Sequence, residues 1–169
     1  VWNCGNNNLG QLCRITPQTT AELGQVIGLS NIVDISCKSL HSNFLKSDCS
    51  VWNCGYNDYG QLGRSGSATH TYSNLGQVTS LTDVAGIACG HGFSVFLKSD
   101  GTVWNCGINS SGELGRVANS GTKQKTNLAQ LQSITDVRTI ECGYDYTFFL
   151  KKDGTIWNCG GNKAGQLGR

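Results

Sequence analysis

The stretch Asp100-Gly101-Thr102-Val103-Trp104-Asn105-Cys106-Gly107-Ile108-Asn109-Ser110-Ser111-Gly112-Glu113-Leu114-Gly115 decides the fold, because it recurs. Val-Trp-Asn-Cys-Gly stands at Val1–Gly5, Val51–Gly55 and Val103–Gly107, and Ile156–Gly160 repeats it with Ile for Val. Each copy runs into Gly-x-Asn-x-x-Gly-Gln/Glu-Leu. The tryptophans Trp2, Trp52, Trp104 and Trp157 set periods of 50, 52 and 53 residues. A fixed period of this size is the signature of a repeat architecture. The chain divides into repeats 1–50, 51–102 and 103–155 and the start of a fourth, 156–169.

Within a repeat the pattern is that of strands. Val84–Cys89 is a short apolar run, Phe93–Leu97 is aromatic and β-branched, and Val103–Cys106 follows Ser99-Asp100-Gly101-Thr102. Asp-Gly between two such runs predicts a hairpin, since its central residues need positive φ. Gly101 and Gly154 take that turn. A weaker fourth strand is expected near Leu75–Val78. Helical periodicity is absent. Three or four antiparallel strands per repeat make one sheet of a β-propeller blade, so the fold class is all-β. Asn7, Asn57, Asn109 and Asn162 recur in the turn after the Trp strand, where Asn tolerates αL and bonds its own backbone. Their expected role, like that of the four Trp, is structural. The loops Ile15–Ala21, Ser65–Ser73 and Val117–Thr126 are rich in Ser, Thr, Gly and Asn and absorb the length differences between repeats. Such loops on one face are where repeat proteins commonly bind partners.

Composition narrows the function classes. A net charge of +2 on 169 residues argues against an electrostatically driven nucleic-acid or membrane-surface protein. No apolar run approaches the roughly 18 residues of a bilayer span, and no signal peptide is visible. With Val1 first and no Met anywhere, the chain is expected to be processed or part of something longer.

The linked motifs Asp-Val-x-x-Ile-x-Cys-Gly and Leu-Lys-x-Asp-Gly-Thr-Val-Trp-x-x-Gly-x-Asn-x-x-Gly-Gln-Leu-Gly resemble the regulator of chromosome condensation repeat. The family includes the exchange factor for the GTPase Ran. The resemblance implies a propeller of commonly seven blades. This chain departs from the family pattern in three ways. Cys4, Cys54, Cys106 and Cys159 stand where the family often has Trp. Only His41 fits the family's His after Cys-Gly, with Phe93 and Tyr146 at the equivalent positions. Lys38 replaces the Gly after Cys37. What matches is scaffold, and the loop insertions with which an exchange factor expels nucleotide have no counterpart here.

Seven cysteines are locked to the repeat. The 17-residue spacing of Cys37–Cys54, Cys89–Cys106 and Cys142–Cys159 follows from the period alone, and a strand lies between each pair, so these are expected to be packed thiols. Cys13 replaces the Gly found at Gly63, Gly115 and Gly168, and Cys49 replaces Gly101 and Gly154. Both departures fall in one repeat, which suggests a Cys13–Cys49 disulfide and an oxidising compartment. The low charge and Ser/Thr-rich loops fit a secreted chain. Asn109-Ser110-Ser111 is a glycosylation sequon whose Asn is also the turn Asn.

No cofactor or metal site is expected. Cys37/His41 and Cys89/His91 are isolated pairs, and His70 lies in a variable loop. No nucleophile–base pattern or phosphate loop is present, so the chain is read as no enzyme. Arg14, Arg64, Arg116 and Arg169 recur after Gly-Gln-Leu, and Asp34, Asp83 and Asp136 recur before the Val/Ile strand. They are expected to form a repeated ion pair or carbonyl contact rather than a ring for an anionic partner. The resulting reading is a non-catalytic propeller that binds protein partners through its face loops, with no small-molecule substrate. The alternatives are a filament or coat subunit assembled through blade edges, and a guanine-nucleotide exchange factor.

Overall fold

A strand of alternating residues is stable here only with a sheet on either side, because both of its faces carry apolar groups. The computed structural model describes residues 1–14, 19–64, 72–117 and 126–169. The outermost pieces are a two-stranded sheet, β1 (Trp2–Asn6) with β2 (Thr19–Gln25), and a three-stranded sheet, β11 (Val137–Cys142), β12 (Tyr146–Lys151) and β13 (Ile156–Gly160). Between them stand two four-stranded antiparallel meanders. One is β3 (Ile32–Lys38), β4 (His41–Lys46), β5 (Val51–Tyr56) and β6 (Tyr72–Gln77). The other is β7 (Val84–Cys89), β8 (Phe93–Lys98), β9 (Val103–Gly107) and β10 (Thr126–Gln130). Among the described residues there is no helix, and hence none long and apolar enough to cross a membrane. The fourth strand expected near Leu75–Val78 is β6. The variable loops, and His70 with them, lie largely outside the described residues.

Sheet and sequence repeat are out of phase. A blade takes its first two strands from one repeat and its last two from the next. The break falls after Asn31, Asp83 and Asp136, which share φ of 57°, 57° and 59°. Short polar side chains tolerate αL better than others. Each carbonyl accepts a hydrogen bond from the hairpin of its own blade: Ser47 N to Asn31 O at 2.8 Å, Ser99 N to Asp83 O at 2.9 Å, Lys152 N to Asp136 O at 2.8 Å. Asp34 is therefore not a member of this set. It pairs with Leu45 as Gly86 pairs with Leu97 and Thr139 with Leu150. The repeat residue is Asn31, three positions earlier: it directly precedes Ile32, which pairs with Lys46 as Val84 pairs with Lys98 and Val137 with Lys151.

The core lies between blades. Leu45, Val51, Val78, Leu81, Val84, Ile87 and Phe96 pack the first four-stranded sheet on the second. Phe93, Val95, Leu97, Val103, Leu131, Ile134, Ile140 and Phe149 do the same for the second and third. Strands β3, β7 and β11 lie innermost and line a central cleft of about 480 Å³.

The Trp strand bulges against its outer neighbour, as between Asn53 and Gly55. Gly107 closes the equivalent bulge at φ +111°, and a Cβ there would lie 2.6 Å from Phe93 Cα and against the Gly92 carbonyl. Only Gly fits that close approach. At the β-hairpin turn only the second residue of each pair takes the positive φ expected of both: Gly101 and Gly154 have φ of 85° and 86° and Cys49 has 64°, while Asp48, Asp100 and Asp153 do not enter that region. Asp48, Asp100 and Asp153 close these turns by accepting from Ser50, Thr102 and Thr155.

Candidate interaction face

After each Trp strand the motif Asn-x-x-Gly-Gln-Leu folds into two consecutive turns, and its polar side chains stitch them shut. Asn7, Asn109 and Asn162 Nδ2 donate to the carbonyls of Arg14, Arg116 and Arg169, while Asn7, Asn57, Asn109 and Asn162 Oδ1 accept from Leu12, Leu62, Leu114 and Leu167 N. The structural role expected of these Asn is what the geometry gives. The sequon is spent in the same way. Asn109 is 6 % exposed and its Nδ2, the atom a glycan would occupy, already donates to Arg116 O at 3.1 Å. A second recurring set was not singled out from the sequence. Asn3, Asn53, Asn105 and Asn158, within Trp-Asn-Cys-Gly, each donate Nδ2 to the Leu carbonyl of the motif at 2.8–3.0 Å.

The stitched loop then docks on the next blade. Gln61 O accepts from Ser94 Oγ at 2.7 Å and lies 3.3 Å from Cys106 Sγ, and Glu113 O meets Thr147 and Cys159 in the same way. The residue two places on faces the same thiol. A Cβ added to Gly63 would lie 3.1 Å from Cys106 Sγ, and one on Gly115 would lie 3.2 Å from Cys159 Sγ. At the first docking position the residue is Cys13, and it is bonded to Cys54 with Cα atoms 5.6 Å apart. The expected Cys13–Cys49 pairing is thus corrected to Cys13–Cys54. Cys49 sits in the hairpin before β5 and Cys54 near its other end, roughly 16 Å away at 3.3 Å per residue. Cys49 is an exposed free thiol, whereas Cys89 and Cys106 are buried and burial pushes both thiols up to about 12.

The recurring arginines reach backbone, not carboxylates. Arg64 Nη2 donates to Asn74 O, and Arg116 Nη2 to Asn105 O and Asn127 O. Arg14 and Arg64 lie over Gly24 and Gly76 of the outer strands. The Asp partners expected from the sequence are engaged at the opposite end of the blade. An ion pair does form between Lys46 and Asp48, at 3.5 Å, and it involves neither set.

The positions that differ from blade to blade gather on the face where β3, β7 and β11 end. Ser39, His91 and Tyr144 occupy equivalent sites in three successive blades and touch in a row. Ser39 Oγ lies 2.9 Å from His91 Nδ1, and the His91 ring stacks on Tyr144 at 4.1 Å and 12°. Lys38 Nζ crosses the same mouth to donate to Cys142 O at 2.8 Å. Tyr59 adjoins Gly92 and meets Tyr56 edge-on at 5.5 Å. Tyr144 is 61 % exposed at the end of this band.

The departures Lys38 and His41 explain one another. At Gly90 and Gly143 the ring three residues on, Phe93 or Tyr146, folds over the Gly and leaves no room for a side chain. In the first full blade the equivalent ring, His41, turns inward instead. His41 Nε2 lies 2.9 Å from Ser94 Oγ, and Asn43 Nδ2 lies 2.9 Å from the same oxygen. Ser94 has one proton and gives it to Gln61 O, so His41 must donate through Nε2. This buried Ser–His pair runs in the wrong sense for a general base, and burial lowers the His41 pKa to about 4. Among the described residues no three His, Cys, Asp or Glu side chains converge as a metal site.

Between pH 6.5 and about 4 unfolded chains bind a proton that buried His41 refuses, so stability falls as pH falls through this window. The loss is about 3 kcal/mol. His41→Phe, the residue of the neighbouring blade, is expected to flatten the urea-denaturation stability profile there. An unchanged slope would contradict neutral His41. Glu113 is the opposite case. It is 2 % exposed, and burial with the nearby Asp145 charge raises its pKa. Acid therefore relieves rather than strains this site. Glu113→Gln, the residue of the other three motifs, is expected to melt higher at pH 7 and to converge with the parent as Glu113 protonates. A lower melting temperature at pH 7 would reject this.

The stitched loop, its docking on the next blade and the bulged Trp strand find their match in one family. The profile described as regulator of chromosome condensation (RCC1) repeat matches residues 48–97 and 100–150, and a second of the same description matches 84–113 and 137–166. The chain belongs to the RCC1 repeat family. Its relatives include the mitochondrial RCC1 domain-containing protein RUG3 of Arabidopsis thaliana, 34% identical over 54% of this chain and 21% of that protein. The Bos taurus secretion-regulating guanine nucleotide exchange factor is 31% identical over 48% of this chain and 18% of the relative. The E3 ubiquitin-protein ligase HERC2 of Homo sapiens is 29% identical over 99% of this chain and 4% of its own length. Among solved structures, human WBSCR16 superposes with a TM-score of 0.79 at 20% identity, over 94% of this chain and 42% of that one. Yeast RCC1 (Prp20), bound to Kap60, gives 0.81 at 19% identity, over 95% and 39%. The chain thus spans about two fifths of the solved propellers and a fifth or less of these curated relatives.

Proposed function

We propose that the chain is a non-catalytic part of a propeller whose protein partner docks on the face bearing Lys38, Tyr59, His91 and Tyr144. One observation carries the reading. The Asn, Leu and Gly positions that build each blade recur from copy to copy, whereas Ser39, His91 and Tyr144 put three different side chains at one repeated position, two of them stacked as an aromatic pair whose outer ring, Tyr144, is 61 % exposed. Tyr and other aromatic side chains are enriched at protein interfaces. The binding properties of a solved relative, Prp20p of Saccharomyces cerevisiae, to Gsp1p and histones support partner binding by this architecture. The test is a photo-crosslinking residue placed singly at Tyr144, Tyr59 and Asp100 in the full chain, in its native extract. Adducts at the first two sites and none at Asp100, on the opposite face, are expected. Adducts at Asp100 alone would overturn the assignment.

A second reading, nucleotide exchange, is favoured by the name of the Bos taurus relative. It separates cleanly. The chain is expected to leave the release of labelled GDP from a Ran-type GTPase unchanged, and acceleration would replace the scaffold reading by exchange. Self-assembly through the exposed Trp2 and Trp157 edges would instead appear as a mass in light scattering that grows with concentration.

A further inference from the structure

We propose that Cys13–Cys54 is a covalent latch that holds the β1–β2 sheet to the array, closed by a disulfide-bearing oxidant while the blades dock and shielded from thiols afterwards. The proposal stands apart from the partner-binding face and can fail without it.

The first argument is what else holds β1 and β2. Strands β3 and β4 pack along β7, and β7 and β8 along β11. Those contacts are made by the first two strands of each blade; β1 and β2 correspond to the third and fourth strands, β5 and β6, which among the described residues have no such strand packing on the next blade either. The noncovalent attachment is Val26 and Leu29 on Phe44, with Val1 and Ile32 at the margin, and Ser42 Oγ donating to Gln11 O at 2.8 Å. Trp2 and Leu23 remain 61 % and 65 % exposed. Among the described junctions, at this one alone the docking residue is Cys rather than Gly, and here alone the facing motif thiol is bonded.

The second argument is access. Cys54 is fully buried, whereas Cys13 is half-buried and borders an outer groove with Arg14, Ile27 and Leu75. An incoming thiolate reaches only the Cys13 sulfur. That attack would expel the Cys54 sulfur as a buried anion, in the setting where, one blade on, burial pushes the equivalent Cys106 thiol up to about 12. A leaving thiol of high pKa leaves slowly. The bond is therefore made before Cys54 is covered. In that step the Cys13 and Cys54 thiols give up two protons and two electrons, and the oxidant's disulfide departs as a dithiol. Oxidants of this class belong to compartments where disulfides persist.

The test counts thiols in the chain as produced by its native source. Alkylation after denaturation without reductant is expected to modify seven of nine cysteines. Prior incubation of the folded chain with dithiothreitol leaves the count at seven, and incubation of the denatured chain raises it to nine. Nine at the outset, or equal rates of reduction folded and unfolded, would overturn the proposal. Cys13→Gly restores the residue of the other repeats and so keeps the fold. It is expected to speed amide exchange in β1 and β2 about tenfold while β7–β12 stay protected. Unchanged protection in β1 and β2 would show that packing alone holds them, and would reject the latch.

Discussion

Gly63→Cys is expected to form a second inter-blade disulfide, with Cys106, and Gly115→Cys a third, with Cys159. The repeat geometry demands it. Both glycines share the backbone of Cys13, with φ of 63° and 64° against 54°, and a Cβ at either would point at the facing sulfur from just over 3 Å. Each new bridge closes a loop much like the 41-residue separation spanned by Cys13–Cys54. Chain-entropy arguments put such a cross-link at about 4 kcal/mol. A non-Gly residue at positive φ returns about 1 kcal/mol of that. The oxidised variants should melt roughly 5–10 °C higher. The gain should vanish under reductant, with intact mass showing two hydrogens fewer per bridge. A variant that keeps both thiols free would show that Cys13–Cys54 depends on something particular to its own junction.

Gly107→Ala is expected to be the most damaging single methyl in the second blade. Its Cβ would be driven into the Gly92 carbonyl and Phe93 Cα, both main-chain atoms of the paired strand. Neither can move without breaking the β8–β9 ladder. The backbone at φ +111° is open only to Gly. A loss of more than about 4 kcal/mol is expected, enough to leave the chain insoluble or unfolded by circular dichroism. Gly154→Ala separates clash from conformation. It has φ +86° with nothing within 4 Å of an added Cβ, and its cost should be about 1 kcal/mol. Equal losses at the two sites would mean that dihedral strain, not the close approach, sets the requirement for Gly.

The strands, their meander order and the hairpin turns were legible because they depend on neighbours in sequence. Asp100-Gly101 needs only local φ, and Asn57 bonds a backbone five residues on. The site was less legible. Ser39, His91 and Tyr144 look unrelated in sequence, and only alignment of the three turns shows that they are one position repeated. Their contact requires three blades at the same height. Asp34 misled because the position needs a short polar residue that accepts positive φ rather than a carboxylate, and in the first repeat that residue is Asn31. The recurring arginines suggested recurring carboxylates, but Arg64 and Arg116 reach backbone carbonyls of the Trp strand and outer strand of their own blade.

What the sequence determined by itself is the blade: periodic strands, Gly at bulge and turn, and Asn stitches within a dozen residues, all set by local sterics and short-range hydrogen bonds. What only the tertiary structure decided is everything between blades. Val103-Trp104-Asn105-Cys106-Gly107 and Ile156-Trp157-Asn158-Cys159-Gly160 are nearly one sequence and both are strands, yet Val103 is wholly buried and Ile156 is 66 % exposed. Burial belongs to the neighbouring sheet, not to the strand. Cys13 likewise bonds Cys54 rather than Cys49 because its loop docks at the far end of β5, roughly 16 Å along the strand from the hairpin that holds Cys49, a relation between residues far apart in the chain.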